Sequence, residues 1–203
     1  MNGIETLQSR YPWPAERPPL ADDWHGWLVN GTAALLASRC SNDTKLIVEC
    51  GSWLGLSARL LVSHAPNAVV VCVDHWRGSP EHQPDTGNHL WSVKLPTLHE
   101  QFLANMWPWR DRVIPLRADS LDGLAEVFEA RLTPDFVYLD SEHSVDRVAR
   151  ELTFCETHWP AMPIVGDDID NSAVRLAVDK HRERYPRNLS IHDGGFTLDP
   201  LGK

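Results

Sequence analysis

The stretch "DFVYLDSEH" (135–143) begins as an apolar run and stops at two acids and a histidine, and "MPIVGDDID" (162–170) closes the same way on three more acids. If the two runs are neighbouring strands, Asp140, Asp167 and Asp168 converge. Three carboxylates within a few ångströms raise one another's pKa unless a cation lies between them. Hard oxygen donors with room for water suit Mg2+, or Mn2+ in its place. Helix capping is the competing reading for Asp140 and Asp168, and the expected one for Asp170. His143, three positions after Asp140, titrates near neutrality and is suited to take a proton from a hydroxyl acidified by a metal. The chain has ten histidines, so only its place beside Asp140 singles this one out.

A second group of residues points to a small-molecule ligand. In "VECGSWLGLS" (48–57) a strand-like run passes through a glycine turn into a helix start, and glycine is needed where backbone must turn tightly or approach a ligand. The E-x-G-x-x-x-G spacing differs from the G-x-G-x-x-G of dinucleotide binders. Glu49 would repel a pyrophosphate and suits a cationic ligand instead; an ordinary strand-to-helix turn is the alternative. Asp74 ends the next run, where an acid can accept both ribose hydroxyls of an adenosine, or remain a solvated carboxylate or cap. Asp119 and Ser120 in "ADS" can address an adenine edge or cap the following helix. The Trp-rich stretch from Trp76 to Trp109 is too long for a routine connection. Its Trp91, Trp107 and Trp109 fit an acceptor pocket, core or a subunit contact equally well.

The elements that must position these residues alternate. Strand-like runs at "KLIVEC", "AVVVCVD", "RVIPLRADS", "DFVYLD" and "MPIVGDD" are separated by helical patterns, and "LSIHDGGFTLDP" reads as two short strands about a turn. Unbroken Val/Ile/Leu runs alternating with helices imply a mostly parallel sheet covered on both faces. The expected fold is therefore α/β: doubly wound, Rossmann-like, seven-stranded, with an antiparallel C-terminal strand. In such sheets ligands bind outside the carboxyl ends of the strands, where all the residues above fall. The proline-rich first twenty residues are expected to form an arm without regular structure, followed by a helix from Asp22 to about Ser38. The expected organisation is an N-terminal arm and helix over 1–44 packed on a ligand-binding domain over 45–203.

Bulk properties narrow the class. At 203 residues and 42% hydrophobic content the chain supports one substantial domain. A formal charge of −9 disfavours wide contact with nucleic acid or an anionic membrane. Cys40, Cys50, Cys72 and Cys155 show no zinc-like spacing and read as thiols in a reducing cytoplasm. No run approaches the ~18 apolar residues of a membrane span.

Taken together, "VECGSWLGLS", "VDHW", "ADS", "YLDSEH" and "VGDDID" resemble the class I S-adenosylmethionine-dependent methyltransferases, and more closely the metal-dependent O-methyltransferases, including catechol, caffeoyl-CoA and macrolide-sugar enzymes. The resemblance covers about residues 45–200 with the motifs in the family's order. It implies that Glu49, Gly51, Trp53 and Ser57 surround the methionine part of S-adenosylmethionine and Asp74 holds the ribose. It further implies that His75 or Trp76 flanks the adenine and that Asp119 and Ser120 address its edge. Asp140, Asp167 and Asp168 would be the metal ligands and His143 the base. Catechol-type enzymes carry lysine at the base position and Asp-Asn as the second metal pair; His143 and Asp-Asp are more like the sugar-hydroxyl enzymes. The expected acceptor is a hydroxyl of a small molecule, and a homodimer is a family expectation. The rival readings are an NAD-linked oxidoreductase, a cofactor-binding module without catalysis, and methylation of a nitrogen or a macromolecule.

Overall fold

A computed structural model describes residues 2–26, 28–86 and 92–202. Five parallel strands form the centre of the sheet: β1 (Leu46–Cys50), β2 (Val69–Asp74), β3 (Val113–Arg117), β4 (Phe136–Leu139) and β5 (Ile164–Gly166). β6 (Arg187–His192) and β7 (Gly195–Pro200) complete it in the order β3-β2-β1-β4-β5-β7-β6. β7 runs antiparallel to both neighbours. The doubly wound seven-stranded fold read from the sequence is the one observed.

Alternate residues of each strand enter two cores. Val48, Cys50, Val71, Val73, Val137 and Leu139 face one side, under α1 (Gly3–Arg10), α5 (Ser120–Glu129), α6 (Val145–His158) and α7 (Ser172–Arg184). Ile47, Val70, Cys72, Phe136 and Tyr138 face the other, under α2 (Asn30–Arg39), α3 (Leu56–His64) and α4 (Leu98–Met106). A strand buried on both faces has no polar side to display, which is why these runs read as continuously apolar. Among the described residues no helix is long and apolar enough to cross a membrane.

Two N-terminal expectations are corrected. The first twenty residues are not without regular structure: α1 occupies Gly3–Arg10, opened by a reciprocal cap in which Glu5 N–H donates to Asn2 Oδ1 and Asn2 N–H to Glu5 Oε2, both at 2.9 Å. The prolines begin only at Pro12, just beyond the helix, and Leu7 is buried in the core. The helix expected from Asp22 begins instead at Asn30. Asp22 turns back to accept the Trp24 N–H at 2.9 Å, and Gly26 has a φ of 98°, so the backbone leaves helical geometry before α2 starts.

β1 lies between β2 and β4, so the chain's direction of travel across the sheet reverses there and a crevice opens at the carboxyl edge. Gly51 (φ 93°) makes that crevice possible: a Cβ there would lie 1.9 Å from the Asp140 carbonyl oxygen.

Candidate active site

A cleft of about 220 Å³ runs along this carboxyl edge. Gly51 and Trp53 reach it from the turn after β1, Asp74 and His75 from β2, and Asp119 and Ser120 from β3. Asp140 and His143 follow β4, and Asp167 and Asp168 follow β5. Because β4 and β5 are hydrogen-bonded neighbours, the two acid clusters meet.

At that end His143 Nε2 lies 2.9 Å from Asp168 Oδ2 and 3.7 Å from Asp140 Oδ1. Asp140, His143 and Asp168 each offer a donor atom within 4.8 Å of the others, an arrangement that could hold a metal ion. Burial, reinforced by neighbouring carboxylates, pushes the Asp140 carboxyl up to about 6 despite its histidine neighbour. The neighbouring Asp140 and Asp168 carboxylates push His143 up to about 10, and His143 in turn holds Asp168 below the usual carboxylate range. The imidazolium therefore stands in for a cation between two acids.

Asp167 is placed differently. Its Oδ1 accepts the Thr32 hydroxyl at 2.6 Å and the Asp168 N–H at 2.9 Å, and its Oδ2 lies 3.3 Å from the Tyr138 hydroxyl, which also donates to Asp140 Oδ2 at 3.0 Å. Asp140, Asp168 and His143 thus gather, while Asp167, which lines the same cleft, is also bonded to Thr32 and to the Asp168 amide. The capping alternatives fall elsewhere: Ser144 caps α6 and Asn171 caps α7, so Asp170, expected to cap, does not.

The other end of the cleft is built around Asp74. Its two carboxylate oxygens accept the Trp76 N–H at 2.6 Å and the Trp53 N–H at 2.9 Å. Trp53 and Trp76 are both in left-handed backbone conformation, at φ 46° and 51°, so this carboxylate ties down two strained turns. An ionised carboxylate has about four acceptor sites, and the two amides occupy one on each oxygen. Asp119 caps α5 through the Leu121 N–H at 3.2 Å and also accepts Arg147 Nη1 at 2.5 Å.

Some sequence candidates are not at the surface of the cleft. Glu49 is fully buried beneath it, accepting the Ser52 hydroxyl at 2.5 Å, and burial pushes it up to about 7. Ser57 is buried in α3. The Trp76 ring packs on His99 and Phe102 in the core, while His75 lines the cleft. Trp107 packs on Trp13, and Trp109 lies against the second core; Trp91 lies outside the described residues. The wall on that side is Gly78–Pro80 with His82, whose ring packs against Trp53 at 4.7 Å. The sequence reading missed this short segment, Arg147 and Thr32. Arg147 had a local signal, one turn into the helix that follows the acid cluster; Thr32 had none.

Residues 48–169, more than half of the chain, match the model of a family described as "Methyltransferase domain". No curated protein matches the chain. Among solved structures it is similar to a calicheamicin methyltransferase (13% identity, 85% of this chain and 78% of that one, TM-score 0.57). It is similar also to an O-methyltransferase from Bacillus cereus in complex with SAH (16% identity, 97% and 88%, TM-score 0.52). A precorrin 8w decarboxylase from Methanobacterium thermoautotrophicum is as alike in fold (12% identity, 85% and 90%, TM-score 0.57). Likeness at such identities establishes the fold, and chemistry has to be read from the site.

Proposed function

The chain belongs to the methyltransferase-domain family, and from that premise we propose that it is an S-adenosylmethionine-dependent O-methyltransferase, assisted by Mg2+ or Mn2+, acting on a hydroxyl of a small molecule. The observation that carries this reading is the meeting of Asp140, Asp168 and His143 in the same cleft as the Gly51 turn and Asp74. Among the described residues, acids such as Asp74, Asp140 and Asp168 outnumber the one arginine of the cleft, Arg147, which is itself bound to Asp119, and this balance favours a cofactor that is itself cationic. The two acids are hard oxygen donors of the kind Mg2+ takes, so the residues fit such an ion.

When bound, the ion would lower the pKa of the reacting hydroxyl and balance the two carboxylates. Asp140 and Asp168 are the residues to hold it. His143 is protonated while it alone neutralises them; it serves as a base only when that charge is met otherwise. Its Nε2 then takes the hydroxyl proton as the acceptor oxygen attacks the sulfonium methyl. A C–O bond forms, the C–S bond breaks, and its electron pair stays on sulfur in S-adenosylhomocysteine. Asp74 supplies acceptors for the ribose and Asp119 for the adenine edge, while His82 and Gly78–Pro80 wall the cleft from water. Positioning and charge supply most of the acceleration. The four thiols are all unpaired, as a reducing cytoplasm would keep them.

The test is calorimetric titration of S-adenosylhomocysteine into metal-stripped protein, repeated with millimolar Mg2+. One saturable site per chain and a separate Mg2+ heat are expected. Cofactor binding with no response to Mg2+ or Mn2+ would make the acid cluster structural, and absence of cofactor binding would remove the methyl-transfer reading.

A further inference from the structure

The resemblance to metal-dependent enzymes assigns both members of the Asp167–Asp168 pair to the ion, yet the two carboxylates are in opposite situations. Asp167 Oδ1 accepts two hydrogen bonds from the protein, from the Thr32 hydroxyl and the Asp168 amide, and its Oδ2 lies 3.3 Å from the Tyr138 hydroxyl, whose single proton is shared with Asp140. Asp168 is half-exposed in the cleft and faces His143. The separation is made in the backbone: Asp168 has a φ of 56°, a left-handed conformation uncommon for a non-glycine residue and adopted most readily by Asp, Asn and His. The side chain of its predecessor supports it, the Asp167 Oδ1 accepting the Asp168 amide.

That oxygen is itself held by Thr32, which is fully buried on α2 and 135 positions away in the chain. α2 is seated by Gly31, where a Cβ would lie 2.4 Å from the Asp193 carbonyl oxygen, and by Val29 packing beside Gly194 at the β6–β7 turn. The Gly194 carbonyl accepts the Ile169 N–H at 2.8 Å, directly after the acid pair. α2, the last hairpin and the end of β5 therefore form one joint, with the Thr32–Asp167 hydrogen bond at its centre.

We propose that Thr32 is a positioning residue for the candidate cation site: its hydroxyl fixes Asp167 as a brace, and the brace turns Asp168 towards Asp140 and His143. Asp167 is then a support and Asp168 the ligand. The inference rests on the cation-site reading given above. Partners hydrogen-bonded to a metal ligand commonly change its affinity 10–100-fold when lost, and Thr32, one bond further out, is expected at the lower end of that range.

The test compares Thr32→Val, which keeps the shape and loses the donor, with Thr32→Ser, which keeps the donor. Calorimetry with Mg2+ should show affinity weakened by ~10-fold or more in Thr32→Val and within about twofold of wild type in Thr32→Ser. S-adenosylhomocysteine affinity of the metal-stripped proteins should be unchanged within about twofold in both. Unchanged Mg2+ affinity in Thr32→Val overturns the proposal, and so does an equal loss of Mg2+ and cofactor affinity, which would mean general loosening of the cleft. A wild-type protein with no Mg2+ response removes the cation-site reading, and this one with it, before any variant is compared. Should Thr32→Val not fold, Asp167→Asn keeps an oxygen for both Thr32 and the Asp168 amide. It should retain Mg2+ binding within about threefold while Asp168→Ala loses ~10-fold or more; an equal loss in the two sinks the brace.

Discussion

At the scale of the residue, Asp168 and Asp74 separate the two halves of the proposed chemistry. Asp168→Ala removes an acid that touches the candidate ion and no cofactor-facing group, so metal-dependent turnover should disappear while S-adenosylhomocysteine affinity stays within about twofold of wild type. Turnover at the wild-type rate would take Asp168 out of the site. Asp74 carries a structural duty as well, since the Trp53 and Trp76 amides both end on its carboxylate. A hydrogen bond to a charged group contributes about 1.5–3 kcal/mol, and a buried amide left without a partner costs a similar amount. Asp74→Ala should therefore lower unfolding free energy by about 3 kcal/mol and weaken the cofactor by ~10-fold or more. Asp74→Asn, which keeps one acceptor oxygen, should fall between. Full stability in Asp74→Ala, read from the urea midpoint, would show that the two turns hold themselves.

At the scale of the element, the site depends on parts of the chain far from its motifs. Gly31 lets α2 lie against the β6–β7 turn, and Gly31→Ala would push a methyl into the Asp193 backbone. Overpacking of this kind costs about 1–3 kcal/mol, and the denaturation midpoint should drop accordingly. Because α2 carries Thr32, Mg2+ affinity should drop with it. The far edge of the sheet is fastened by Arg187 at the start of β6. This buried guanidinium donates to the carbonyls of Pro160, Met162 and Leu198 and pairs with Glu156 at 2.6 Å. Removing one partner of a buried ion pair costs about 3–5 kcal/mol. Arg187→Met should lose about that much stability, and a loss below ~1 kcal/mol would make the network incidental.

At the scale of the whole molecule, buried acids set how stability varies with pH. Burial is the main cause that raises Glu49 and Glu151 to about 7, against their hydrogen bonds to nearby hydroxyls. The folded state therefore favours their protonated forms. That contribution is fully present below the unfolded value of about 4.5 and is lost as pH rises through about 7. The urea midpoint should fall between pH 5 and pH 8. Glu151→Gln should flatten the fall by up to about 3 kcal/mol, the upper figure for a shift of this size. A wild-type midpoint that rises over this window would contradict the assignment.

The sequence alone carries the architecture, because strands buried on both faces and helices buried on one leave periodic signatures that burial imposes locally. It also placed Gly51, Asp74, Asp119, Asp140 and Asp168 at strand ends, and a parallel sheet puts all such ends on one edge. It misread the N-terminus, where prolines from Pro12 onward hid an eight-residue helix whose stability comes from the Asn2–Glu5 cap and the burial of Leu7. Which strands are neighbours, and hence that the two acid clusters meet, was a matter for the tertiary structure. It alone decided that Asp167 is bonded to Thr32 and to the Asp168 amide, that the Trp76 ring is core, and that Gly78–Pro80 rather than Trp107 or Trp109 walls the cleft. These outcomes rest on contacts such as Thr32 with Asp167, 135 positions apart, and a contact closed across that much chain leaves no trace in the local pattern of either segment.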